Sequence, residues 1–255
     1  MRTTQVALVF GLAGLVLAAC AKTDDRVLQG WVEADLIFVS PDEQGRVETL
    51  KVREGDHVKK GALMFTVDDD LQQADVVVRK TAVVNAQQAF DRAQELLKTS
   101  AGTKKNYEDA EATLRQAKAN LDAAQTRLAR RIANSPADGT IEQIYYRPGE
   151  TVPAGRPVVS LLPPRNLKIR FFVPQALLPT VKYGETVAVN CDGCDSGLTA
   201  KVSFISRSAE FTPPVIYSME ERAKLVFLIE ARPEQPLKFR VGQPVSVTLP
   251  NEAPK

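Results

Sequence analysis

Histidine is almost missing from this chain. Its 255 residues contain one, His57, which follows Gly55-Asp56 and reads as a solvated turn residue. The sequence has no Gly-x-Ser-x-Gly, no phosphate-cradling glycine loop and no carboxylate cluster with metal-ligand spacing, so the common catalytic and metal constellations are excluded. Charge of one sign is missing too. Lys plus Arg number 33 against 31 for Asp plus Glu, a formal net charge of +2. No basic cluster offsets that balance, which argues against nucleic-acid binding. No enzyme activity, metal or cofactor is expected. A protein of this kind acts by shape and contact, and its length leaves room for a rod and two modest domains.

Long apolar runs are also scarce, and the one present lies at the start. After Arg2, Val6–Ala19 is uncharged and too short for a comfortable membrane span, the pattern of a signal segment over residues 1–19. It ends Leu17-Ala18-Ala19-Cys20, which resembles the lipobox of bacterial lipoproteins. The resemblance implies cleavage before Cys20 and acylation of that residue, with 20–29 as anchor and linker. Several acyl chains, each methylene contributing about 0.8 kcal/mol, hold a protein durably on a bilayer. Of three cysteines, Cys191 and Cys194 remain, spaced Asn190-Cys191-Asp192-Gly193-Cys194-Asp195. A CxxC pair outside the cytoplasm admits a redox centre, half a zinc site or a disulfide that staples a turn. Flanking strands and the Asp-Gly turn favour the staple.

Proline and glycine vanish from residues 71–134. All 16 prolines lie elsewhere, and Gly102 is the single glycine of that stretch. Its second half carries Tyr107, Ala110, Leu114, Ala117, Leu121, Ala124 and Leu128, spaced alternately three and four. The first half repeats this spacing with Val76, Arg79, Val83, Ala86, Phe90, Ala93 and Leu97. A 3.5-residue period is the seam of helices that pack along one another. Joined at Ser100–Thr103, the two arms are predicted to form an antiparallel coiled-coil hairpin over 71–134, a rod of roughly 45 Å at 1.5 Å per residue. The acidic run Asp68-Asp69-Asp70 precedes the first arm. It suits the positive end of a helix dipole better than a cation site.

The segments flanking the rod copy each other. Gly45-Arg-Val-Glu leads to Glu54-Gly55-Asp56 and Gly61, and Gly139-Thr-Ile-Glu leads to Pro148-Gly149-Glu150 and Gly155. Ser40-Pro41 and Ser135-Pro136 open the two copies. Short β-rich runs between glycine turns predict two four-strand units that pair into one sandwich. The pattern resembles the halves of a lipoyl or biotinyl domain, here residues 30–70 and 135–164. No Met-Lys-Met or Asp-Lys-Ala stands at Val67-Asp68-Asp69-Asp70, which argues against the competing reading of a lipoylated or biotinylated carrier enzyme. After Pro163-Pro164, strands alternate at Asn166–Val173, Thr186–Asn190, Leu198–Ile205, Leu225–Glu230 and Val245–Leu249. A small β-barrel over 165–250, followed by a tail at 251–255, is expected.

A split lipoyl unit with an inserted hairpin and a following barrel resembles the periplasmic adaptor, or membrane fusion, proteins of the haemolysin-D type. That resemblance implies an α+β chain that bridges an inner-membrane transporter to an outer-membrane duct in efflux or secretion, and self-association in rings, commonly of six. Adaptors that dock to ducts share an arginine, a leucine four residues on and a serine seven beyond. This chain has Arg92, Leu96 and Thr103 at those spacings. The segment Glu210–Ser218, with two prolines, resembles one found in adaptors of ABC-type rather than proton-driven transporters. Ala21 after the lipid cysteine fits sorting to the outer membrane, whereas the adaptor role implies an inner-membrane anchor in the periplasm. Competing readings are a structural envelope lipoprotein that moves no substrate and a CxxC thiol oxidoreductase.

Overall fold

The computed structural model describes residues 26–211 and 225–250. Cys20 and Pro213–Ser218 lie outside the described residues. The chain divides into two units, one spanning residues 34–166 and the other combining the N-terminal strand with residues from 167 onward.

The first unit contains the sandwich and the hairpin. Strands β2 (Ile37–Val39), β3 (Gly45–Leu50), β4 (His57–Val58) and β5 (Leu63–Val67) precede the helices. Strands β6 (Ile132–Asn134), β7 (Gly139–Ile144), β8 (Thr151–Val152) and β9 (Val159–Leu162) follow them. The two sheets run β2-β9-β7-β4 and β6-β5-β3-β8, so each takes strands from both copies of the repeat. Reciprocal backbone bonds explain the glycine spacing. Gly55 N donates to Ile141 O and Gly149 N to Val47 O, both at 2.8 Å, and Gly61 N and Gly155 N reach Ser135 O and Pro41 O. Each middle glycine sits at a left-handed φ, 88° at Gly55 and 95° at Gly149. The acidic residue after it closes the turn: Asp56 accepts from Arg53 N at 2.8 Å and Glu150 from Arg147 N at 2.9 Å. Met64, Phe65, Val67, Ile141, Val152 and Leu161 form the shared core.

Helices α1 (Asp70–Lys98) and α2 (Lys104–Ala129) form the hairpin, with Ala86, Leu114 and Ala124 buried in its seam. The expected second arm is too long by several residues. Residues Ile132–Asn134 leave the helix and pair with β5, Ala133 opposite Phe65. Arg131, 7% exposed, turns the chain there: its Nη1 donates to Gln44 O at 3.1 Å and to Glu43 O at 3.4 Å.

In the second unit, β1 (Val27–Ala34), β10 (Leu167–Pro174), β11 (Thr186–Asn190), β12 (Leu198–Phe211), β13 (Leu225–Pro233) and β14 (Pro244–Thr248) close in the order β1-β10-β13-β12-β11-β14. This corrects the expected boundary at residue 30. Strand β1 pairs with β14, Gly30 opposite Val245, and belongs to the barrel. Without it β14 and β10 would be open edges. Gly30 is required by close approach: a Cβ there would lie 2.9 Å from Phe171 Cβ and against the Arg170 carbonyl. Among the described residues no helix is long and apolar enough to cross a membrane.

Candidate functional site

The hairpin tip is built by backbone closure. Ser100, at φ 57°, is the one non-glycine residue in the left-handed region among those described. This lets Ala101 N and Gly102 N both donate to Leu96 O at 2.9 Å, and Ser100 N donates to Leu97 O at 3.1 Å. These bonds satisfy carbonyls that a helix end leaves open. Gly102 is glycine because a Cβ would come within 3.0 Å of Leu96 Cβ. The turn packs against the base of Leu96, a residue that is 49% exposed. Thr103 starts α2 as its N-cap, accepting from Asn106 N at 3.2 Å. The accepting role leaves the hydroxyl hydrogen free to donate outward. Phe90 and Tyr107 close the seam below the turn, centroids 5.3 Å apart.

Tip electrostatics single out one cation. Lys98 pairs with Glu95 at 3.4 Å, Lys104 with Glu108 at 3.4 Å and Lys105 with Asp109 at 2.6 Å. The hydrogen bond that Lys105 donates to the Asp109 carboxylate holds its ammonium above its ordinary pKa. Arg92 is exposed and, among the described residues, has no ion pair. Arg92 and Leu96 are four residues apart on one helix and share a face. Thr103 opens the other arm across the turn. The tip therefore presents a guanidinium, an aliphatic side chain and a hydroxyl.

The other sequence candidates separate from this site. Asp68 accepts from Arg46 at 3.2 Å and from Asp70 N at 3.3 Å, while Asp69 accepts from Gln73 at 2.7 Å. The Asp68 and Asp69 carboxylates thus turn to different partners. Among the described residues no group of three or more His, Cys, Asp or Glu side chains is placed to hold a metal. Cys191 and Cys194 are joined by a disulfide across a turn with Gly193 at φ 75°, and Gln243 Nε2 donates to Cys194 Sγ at 3.3 Å. Beside it Asp195 and Lys238 pair at 2.7 Å, and that hydrogen bond lowers the carboxyl and raises the ammonium. Sequence reasoning missed the barrel network in which Arg170 meets Glu33 at 2.6 Å, Glu230 at 3.5 Å and the Trp31 ring at 5.8 Å. Alternation flags these positions only as outward-facing, and nothing local announces the cross-strand partners.

Residues 36–162 match the family model of the barrel-sandwich hybrid domain of RND membrane fusion proteins. A UPF0194 membrane protein of Citrobacter koseri is 29% identical over 89% of this chain and 89% of its own length. Another UPF0194 membrane protein, from Acidithiobacillus ferridurans, is 26% identical over 88% of this chain and 86% of its own. Among solved structures, the membrane fusion protein Spr0693 of Streptococcus pneumoniae R6 superposes with a TM-score of 0.68 at 18% identity, covering 89% of this chain and 99% of that one. A MacA–MexA chimera carrying the Pseudomonas aeruginosa MexA α-hairpin superposes with a TM-score of 0.71 at 21% identity, covering 88% of this chain and 82% of that one.

Proposed function

Because the chain belongs to the membrane fusion, or periplasmic adaptor, protein family, we propose that it is a lipid-anchored periplasmic adaptor, held by Cys20 in the inner membrane. It bridges an ABC-type transporter to an outer-membrane duct in efflux or secretion. The observation that carries this reading is the tip. At the end of a hairpin with a 29-residue first arm, roughly 45 Å long at 1.5 Å per residue, Arg92, Leu96 and Thr103 are exposed with their fold-internal needs already met. Arg92 reaches carboxylates or carbonyls at a duct rim, because a guanidinium offers several donors in a planar fork. Leu96 buries against an apolar rim side chain, and Thr103 donates one hydrogen bond. The ABC-type assignment rests on the resemblance of Glu210–Ser218 to that subgroup. The chain assembles in rings of copies and couples transporter motion to the duct with no covalent step.

The test is affinity capture of the tagged full chain from cells whose envelopes have been chemically crosslinked, followed by mass identification. Recovery of a transporter with nucleotide-binding subunits together with an outer-membrane channel supports the bridge. Recovery of proteins from one membrane alone rejects it and favours a structural lipoprotein.

A further inference from the structure

The Cys191–Cys194 disulfide is not sealed into the barrel. Both cysteines are half-buried, and Asp192, Gly193 and Asp195 around them are exposed. Cys194 lines an open cleft with Asp195, Lys238, Arg240 and Gln243. A bridge that closes so small a loop stabilises the fold little. The turn also has a backbone bond of its own, since Cys194 N donates to Cys191 O at 3.1 Å. Stapling alone does not account for the polar groups gathered on one of the two sulfurs.

Gln243 is oriented toward Cys194 by a second bond. Its Oε1 accepts from Arg240 N at 3.0 Å, which fixes the amide so that Nε2 donates to Cys194 Sγ at 3.3 Å. Hydrogen bonds to charged acceptors are the stronger ones, so this N–H stabilises Cys194 more as a thiolate than as half of a disulfide. Cys191 Sγ has no such donor among the described residues. The nearby charges nearly balance. Lys238 is taken up by Asp195 at 2.7 Å, while Arg240 and Asp192 are exposed and, among the described residues, have no ion pair. A thiol whose thiolate is stabilised leaves faster in exchange. Cys194 is therefore the leaving group, and Cys191 the sulfur that is attacked.

The rim of the cleft is apolar. Leu237 and Val241, on the turns that supply Lys238 and Arg240, are 78% and 46% exposed. We propose that Cys191–Cys194 is a site of thiol–disulfide exchange with an external dithiol protein, which seats an apolar face on Leu237 and Val241. A thiolate of that protein attacks Cys191 Sγ. The Cys191–Cys194 bond breaks, and its electron pair passes to Cys194 Sγ, held by Gln243. The partner's second thiolate then attacks the partner sulfur of the mixed disulfide, and Cys191 leaves. The partner departs as a disulfide, oxidised by two electrons, and this chain takes up those electrons with two protons as a dithiol. The chain is the substrate of this exchange and not an oxidoreductase, in keeping with a pair set between β11 and β12 rather than at a helix N-terminus. The inference is independent of what the hairpin tip binds.

The test takes the purified, oxidised full chain and two reductants, dithiothreitol and a reduced thioredoxin, and follows free thiols by alkylation and mass. Gln243→Glu keeps the oxygen that accepts from Arg240 N and removes the donor to sulfur. Loss of a charge-assisted hydrogen bond should slow reduction by both reductants about tenfold. Arg240→Gln, at an exposed position, should slow it to a smaller extent. Leu237→Asp with Val241→Asp should slow thioredoxin severalfold and leave dithiothreitol unaffected. Brief treatment with reduced glutathione, quenched with N-ethylmaleimide and mapped by peptide mass, should place glutathione on Cys191 and the maleimide on Cys194. Unchanged rates in both Gln243→Glu and Arg240→Gln, or glutathione on Cys194, overturn the assigned leaving group. Equal slowing with both reductants in the Leu237 and Val241 variant, or no slowing with thioredoxin, overturns the docking face. A disulfide that dithiothreitol opens and thioredoxin does not is a plain staple, which overturns the proposal as a whole.

Discussion

Arg92 and Thr103 stand on different arms of the hairpin near its tip and answer to different forces, so their substitutions separate. Arg92 has no partner among the described residues, so Arg92→Asp should change stability by no more than about 0.5 kcal/mol, as surface substitutions usually do. Urea unfolding checks this. Thr103 caps α2, so Thr103→Ala should cost about 1 kcal/mol and Thr103→Ser little, because serine keeps the accepting oxygen. Arg131 is a buried side chain whose loss removes a donor from the Glu43 and Gln44 carbonyls. Arg131→Met should cost about 2–3 kcal/mol in the same assay, and Arg131→Lys should recover only part of that, since an ammonium cannot reproduce the fork. In the barrel, the Lys238 hydrogen bond lowers the Asp195 carboxyl below its ordinary 3.8. A carboxylate whose folded pKa is depressed contributes stability above the unfolded value, and that contribution is lost as pH falls through the folded one. NMR titration of Asp195 should show a midpoint below 3.8, returning upward in Lys238→Met.

At the scale of elements, the seam is set by size. Ala124 is 2% exposed between the arms, so Ala124→Leu should force them apart and cost about 1–3 kcal/mol, measured by thermal unfolding of the full chain. The heptads of the hairpin and the doubled glycine spacing of the sandwich were legible in the sequence because each is a local repeat with one physical cause, helix packing or left-handed turns. The tip residues were legible by position, since Ser100–Thr103 breaks both tracks. What stayed hidden is non-local. Strand β1 alternates Leu28, Gly30, Val32 like any strand, and only its pairing with β14 assigns it to the barrel. Ile132–Asn134 continues the helical texture but is captured by β5.

On the scale of the whole molecule, a repeat split by a hairpin and a barrel closed by an N-terminal strand make a chain whose ends of function are separate surfaces. The barrel depends on β1, so a chain beginning at Asp35 should lose the barrel's cooperative unfolding transition while the sandwich, with its own core, retains one. Calorimetry resolves the two transitions. The central claim, that the tip docks to a duct, is tested most directly by photocrosslinking in cells from a probe at Ala101, with mass identification of the partner. The account predicts an outer-membrane channel among the captured proteins, with capture falling at least tenfold in Arg92→Asp while the level of the protein is unchanged. Capture of neighbouring copies alone, or a channel captured equally well by Arg92→Asp, would contradict it.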